Sequence, residues 1–170
     1  MDTNTILDKA IEDVRKRHGV QIMTLSSIKA DEVDSISTGS LSLDVATGVL
    51  GIPRGRIIEI YGPESSGKTT VCFSIVREAQ SKGLRCLYID MEQAVDVAYA
   101  RKLGVDLQSL YFVQPESAEM ALDIAETFLK NSAMDLIVID SVASLVPQAE
   151  IENSMGESTM GLQARLMGQA

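Results

Sequence analysis

The sequence predicts an α/β fold, a mostly parallel sheet flanked by helices, and three observations carry that expectation. Gly62-Pro63-Glu64-Ser65-Ser66-Gly67-Lys68-Thr69 fits G-x-x-x-x-G-K-[ST] and lies between an apolar run and a helical one. Short apolar runs alternate with helical periods from residue 56 to residue 140. Leu136-Ile137-Val138-Ile139-Asp140 is an apolar run that delivers a carboxylate at a strand's C-terminal end. Parallel strands need crossover helices, so this rhythm covers a sheet on both faces.

Taken in order, Thr3 to Arg17 predicts an amphipathic helix, with Ile6, Leu7, Ala10, Ile11 and Val14 on one face. Lys16, Arg17 and His18 fill its last turn and Gly19 stops it, so the one histidine reads as helix-end charge. Val20 to Ser35 has no helical period and reads as a linker with a short extended piece. Residues 1–35 thus form an N-terminal helical arm, and 36–170 the core. Ser37-Thr38-Gly39-Ser40 opens a short helix carrying Leu41, Leu43, Val45 and Ala46, and Gly48 to Gly55 is a turn-rich loop. Arg56 to Tyr61 predicts a short buried strand, and Thr70 to Gln80 a helix with apolar Val71, Phe73, Ile75, Val76 and Ala79. Further strands are expected over Leu84 to Asp90, Leu110 to Val113 and Asp135 to Asp140. Helices are expected over Val97 to Leu103, Ser117 to Asn131 and 158–170.

The glycine motif suits a triphosphate. Gly62 and Gly67 let successive N–H groups point at an anion, and the following helix adds its positive end. Lys68 can reach the outer phosphates, and the Thr69 hydroxyl can hold Mg²⁺. The bland alternative is a Gly/Ser-rich turn with an incidental lysine, which the flanking strand and helix disfavour. Asp140 has the Walker-B pattern of a metal-side carboxylate, against the alternative of a turn-capping aspartate. Ser141 follows it, so the water-activating acid must come from elsewhere. Glu92 is the candidate base, with Asp90 less favoured. Both lie in Tyr88-Ile89-Asp90-Met91-Glu92, whose end falls at the same sheet edge as the phosphate loop.

Composition bounds the function classes. Net charge is −9 over 170 residues, which argues against broad adhesion to nucleic acid but leaves room for a local site. No apolar run approaches bilayer-spanning length, so no membrane role is expected, and the start lacks the features of a secretion signal, so the expected location is cytoplasmic. The two cysteines, Cys72 and Cys86, match no metal spacing and read as small core residues.

Four stretches together resemble the bacterial RecA recombinases: Ile36-Ser37-Thr38-Gly39-Ser40-Leu41-Ser42-Leu43-Asp44; Gly55 to Thr70, including Tyr61-Gly62-Pro63-Glu64-Ser65-Ser66-Gly67-Lys68-Thr69-Thr70; Tyr99 to Asp106; and Ala149-Glu150-Ile151-Glu152 with Met160-Gly161-Leu162. The resemblance implies a P-loop NTPase of RecA type that binds ATP and Mg²⁺. It implies Glu92 activating water beside Lys68, and Thr69 and Asp140 at the metal. Residues Gly62 through Thr70 would hold the phosphates, and Asp96 and Tyr99 would bracket adenine. It further implies filaments of the protein on single-stranded DNA, strand exchange with double-stranded DNA in recombination and repair, and promotion of self-cleavage of a LexA-type repressor in the SOS response to DNA damage. Met160, Gly161 and Arg165 would contact DNA, although Glu150, Glu152 and Glu157 make a bulk electrostatic reading of that loop poor. The chain departs from the family at Gln93 (His is usual), Val97 (Pro), Asn153 (Gly) and Gln148 (Lys). The resemblance also implies a further strand between the phosphate-loop strand and the Asp140 strand, so the core is expected to be incomplete at its C-terminal side. A related ring ATPase or helicase on the same core is the alternative reading; a small-molecule kinase would have no use for Glu92, and a non-catalytic filament module none for Lys68.

Overall fold

In the computed structural model every residue of Cys86–Asp90 is buried, and this strand is the centre of the sheet. The structure describes residues 3–27, 33–146 and 167–168. The chain divides into two units, Met1–Glu32 and Val33–Ala170.

The first unit holds α1, Thr3–His18, whose last turn carries Arg15, Lys16, Arg17 and His18 where the helix dipole favours cations. Glu12–Lys16 (3.1 Å) and Asp13–Arg17 (4.0 Å) are exposed pairs one turn apart. Such pairs contribute only about 0.3–0.5 kcal/mol each. Ile6 and Leu7 are more than half exposed.

The second unit begins with β1 (Ser35–Ile36), α2 (Leu41–Ala46) and β2 (Ile52–Pro53). β1 pairs antiparallel with β2, a ribbon inside what the sequence presents as loop. Gly51 permits the approach: its φ is +145°, and a Cβ there would lie 2.2 Å from the Ile36 carbonyl oxygen. Buried Asp44 closes the preceding turn by accepting from the Ser37 hydroxyl and from both the amide and hydroxyl of Thr38. Those bonds, the Ser37 hydroxyl first, hold its carboxyl below the usual range.

There follow α3 (Lys68–Ser81), β3 (Cys86–Asp90), α4 (Val97–Lys102), β4 (Leu110–Val113), α5 (Ala118–Lys130) and β5 (Leu136–Asp140). β3 pairs in parallel with β4 on one side and β5 on the other. Side chains of β3 alternate between two cores, as strand geometry requires. Cys86 and Tyr88 face Phe73, Ile75, Val76 and Ala79 of α3, together with Ala100. Leu87 and Ile89 face Ala118, Ala121 and Ala125 of α5, together with Leu145. The sheet is therefore covered on both faces. Cys86 is buried and Cys72 half-buried, and both thiols are free. Ser117 caps α5 by accepting from the Met120 amide. No described helix is long and apolar enough to cross a membrane.

One expected strand is absent. Residues 56–61 form no strand, Ile57 is fully exposed and Tyr61 is 85 % exposed. An apolar, β-branched run becomes a strand only where a neighbour completes its ladder. Among the described residues β5 pairs with β3 alone, and no strand lies beside 56–61. The run is tethered at its start instead. Arg54 donates to Asp135 Oδ1 (2.9 Å), while the Arg85 amide and Nε donate to Asp135 Oδ2 (3.0 and 3.2 Å). The expected helix over 158–170 falls almost wholly outside the described residues.

Two outcomes follow. In native-state hydrogen exchange the amides of β3 are protected and those of Ile57, Ile58 and Ile60 exchange at near-coil rates; protection of the latter would show a ladder. The bonds to Asp135, the Arg85 amide first, hold its carboxyl below the ordinary range of about 4. That stabilisation is present above the unfolded value and is lost as pH falls through the lower folded one. Asp135→Asn therefore lowers stability at neutral pH and flattens the acid limb of a urea-midpoint against pH profile.

Candidate functional site

The sharp turn before α3 builds the site. Gly67 is the N-cap residue at φ +95°, a left-handed conformation that a side chain would strain. The Ser66 amide donates to the Pro63 carbonyl (3.3 Å), which curls residues 62–67 over the helix start. Lys68 folds back on this loop, its Nζ donating to the carbonyls of Gly62 and Pro63 (3.0 Å each). Its ammonium is thereby held at the loop, beside the positive end of a 14-residue helix. Glu64, Ser65 and Ser66 form the remainder of the turn, and Ser65 also has positive φ (+60°).

Asp140 ends β5 and meets the first turn of α3 directly. Thr69 Oγ1 donates to Asp140 Oδ2 at 2.7 Å, a contact across 71 residues of sequence. The same oxygen accepts the Tyr88 hydroxyl at 2.6 Å. Burial, and then the bond to Asp140, raise the Tyr88 phenol beyond its ordinary range, so it stays a donor. Burial, with the charge of Asp140 second, pushes the Cys72 thiol up to about 11, which leaves it protonated and unreactive at neutral pH.

Asp90 and Glu92 have different surroundings. Asp90 is 2 % exposed and accepts from the Glu92 amide (3.1 Å), the Val95 amide (3.3 Å) and Gln114 Nε2 (2.9 Å). It is committed to shaping the loop after β3. Glu92 stands exposed on that loop, its Oε1 accepting from Ser141 Oγ at 2.7 Å. Ser141 is the residue after Asp140, joined to it by a cis peptide. Glu92 is thus brought beside the Asp140 end of β5, and the buried acid beneath it holds the loop.

Asp96 caps α4, accepting from the Tyr99 amide at 2.9 Å. The cap forms with Val97 in place of proline, because it needs only the carboxylate and that amide. Tyr99 OH shares a hydrogen bond with Thr70 Oγ1 (2.9 Å), linking α4 to the first turn of α3. Met160, Gly161 and Arg165 lie outside the described residues. Sequence reasoning missed three links: Tyr88 to Asp140, Thr70 to Tyr99, and Ser141 to Glu92. A polar tip on an apolar strand at residue 88 was the one available signal.

The hard oxygens of Thr69 and Asp140 suit Mg²⁺, which is held by one or two protein oxygens with phosphate and water completing its shell. Among the described residues there is no group of three or more His, Cys, Asp and Glu that could hold a metal ion.

Known proteins match this sequence closely. The family model of the RecA N-terminal domain matches residues 5–170. Protein RecA of Rubrobacter xylanophilus is 54 % identical over 171 residues, covering 100 % of this chain and 50 % of that protein. Protein RecA of Chelativorans sp. is 55 % identical over 172 residues, with 100 % and 48 % covered. Protein RecA of Nitratiruptor sp. is 55 % identical over 173 residues, with 100 % and 50 % covered. The chain spans about half the length of these curated relatives. A family match over nearly all its residues, with more than half of them identical in each of three relatives, means that the chain belongs to the RecA family.

Proposed function

We propose that this chain supplies the nucleotide site of a DNA-dependent ATPase of homologous recombination and DNA repair. The observation that carries the reading is the 2.7 Å contact between Thr69, one residue after the phosphate-loop lysine, and the carboxylate of Asp140. It joins a phosphate cradle to a metal-side acid. The loop from Gly62 to Thr70 receives the ATP phosphates on its amides, and the Lys68 ammonium moves from neutral carbonyls to anionic oxygens. Such charge-assisted bonds are about twice as strong as neutral ones. Thr69 and Asp140 hold Mg²⁺, which when bound offsets charge on the outer phosphates. Glu92, oriented by Ser141, takes the proton of the attacking water. Asp96 and Tyr99 bracket the adenine, with Tyr99 available to stack.

Further roles rest on family membership. Residues 1–35 are an oligomerisation arm whose helix docks on a neighbouring copy, a head-to-tail contact that propagates into a filament. Met160, Gly161 and Arg165 contact single-stranded DNA, double-stranded DNA is the exchange partner, and a LexA-type repressor engages the filament. The protein works in the cytoplasm.

Lys68→Ala weakens binding of a fluorescent ATP analogue in Mg²⁺ by about 10- to 100-fold, the range expected for a lost charged hydrogen-bond donor. Equal affinities for parent and variant, by anisotropy, would remove the phosphate site. Glu92→Gln keeps the size of the side chain and an oxygen for Ser141. It leaves analogue binding within about two-fold and lowers the rate of ATP hydrolysis with DNA present by about 10²–10⁴, as loss of a general base does. Undiminished phosphate release would assign the base elsewhere.

A further inference from the structure

We propose that Tyr88 is a positioning residue for the divalent cation, its hydroxyl fixing the Asp140 carboxylate from inside the protein core. The proposal rests on Thr69 and Asp140 being the cation's side chains.

The argument begins with a hydroxyl where packing needs none. Tyr88 is completely buried on β3, its ring stacked on Phe73 at 5.1 Å (19° between planes) and on Phe112 at 6.4 Å (23°). A phenylalanine would fill that slot equally well. A buried hydroxyl is unfavourable unless it has a partner, and here the partner is Asp140 Oδ2 at 2.6 Å. The other hydroxyl on that oxygen belongs to half-buried Thr69, itself assigned to the cation. Thr69 can keep its proton on the carboxylate while an oxygen lone pair faces the cation. Its hydroxyl is thus shared with the site, and a donor outside the site is what steadies the carboxylate. Tyr88 can hold it, because two aromatic neighbours on α3 and β4 lock its ring and it has no other described role. Polar groups behind metal ligands act in this way: they set the ligand's orientation, and their loss typically lowers metal affinity about 10- to 100-fold.

The test uses the whole chain and a fluorescent ATP analogue titrated with Mg²⁺ at graded concentrations and with EDTA. Tyr88→Phe is expected to leave Mg²⁺-free binding at the parental level and to raise the Mg²⁺ concentration for half-maximal enhancement about ten-fold. Phe73→Leu, which loosens the stack but keeps the hydroxyl, is expected to lower the melting midpoint and to shift the Mg²⁺ requirement by much less than Tyr88→Phe does. A metal-free double-mutant cycle of Tyr88→Phe with Asp140→Asn is expected to be non-additive in melting midpoint, as for groups in direct contact. A parental Mg²⁺ requirement in Tyr88→Phe, an equal shift in Phe73→Leu, an additive cycle, or failure of Tyr88→Phe to fold would each overturn the proposal. A parent chain that binds the analogue with no Mg²⁺ enhancement would overturn the Thr69–Asp140 assignment itself, and this proposal with it.

Discussion

The carboxylate of Asp140, accepting two hydroxyls on one oxygen, is the constraint the rest of the structure serves. Thr69 comes from the first turn of α3, Tyr88 from the middle of β3 and Asp140 from the end of β5. For these atoms to meet, β5 must run parallel beside β3, and α3 must cross the face on which Tyr88 lies. The register does this: Asp90 stands opposite Asp140 and Tyr88 opposite Val138. The α3 core, with Phe73, Val76 and Ala79 against Cys86 and Tyr88, sets the helix at the required height. Apolar burial supplies the energy, about 25 cal/mol for each Å² removed from water, and the polar contact selects the register.

Placing two aspartates side by side at a strand end has its own electrostatic consequence. Paired strands are about 5 Å apart, and two carboxylates at that spacing repel by about 3 kcal/mol at an effective dielectric constant near 20. The surrounding donors offset that and divide the labour. Asp90 takes two donors from its own loop and one from Gln114. Asp140 takes donors from α3 and β3. Identical side chains in register thus acquire different partners: Asp90 its own loop and Gln114, Asp140 the hydroxyls of Thr69 and Tyr88. Glu92 depends on both, since Asp90 shapes its loop and the residue after Asp140 holds its side chain.

Much of this was legible from residue order, for reasons that are local. The β4 run Leu110–Val113 and the α5 run from cap Ser117 to Lys130 carry period, cap and flanking turn within a few residues, and they form where expected. The glycine motif fixed the turn before α3 because its conformational demands are internal to it. Features that depend on distant partners were illegible. Residues 56–61 have strand composition and no strand, since a ladder is a property of two segments. The β2 run Ile52–Pro53 is too short to show a period and exists only because Gly51 lets it close on Ile36. Tyr88 in an apolar strand reads as core, and its ring is core. Only the fold puts the hydroxyl on Asp140.

If, as proposed, this acidic chain takes a polyanion, it needs its cations near at hand. With net charge −9 the overall field opposes an anion, but screening confines that field to roughly 8–10 Å at ordinary ionic strength. Local groups then decide: the positive end of α3, entered through Gly67, and one lysine. Held on the Gly62 and Pro63 carbonyls, that lysine keeps its long side chain ordered beside the turn. Part of the entropy of fixing it, about 2 kcal/mol for a fully immobilised lysine, is thus spent in folding rather than in binding. Local order of this kind lets a short loop outweigh an unfavourable net charge.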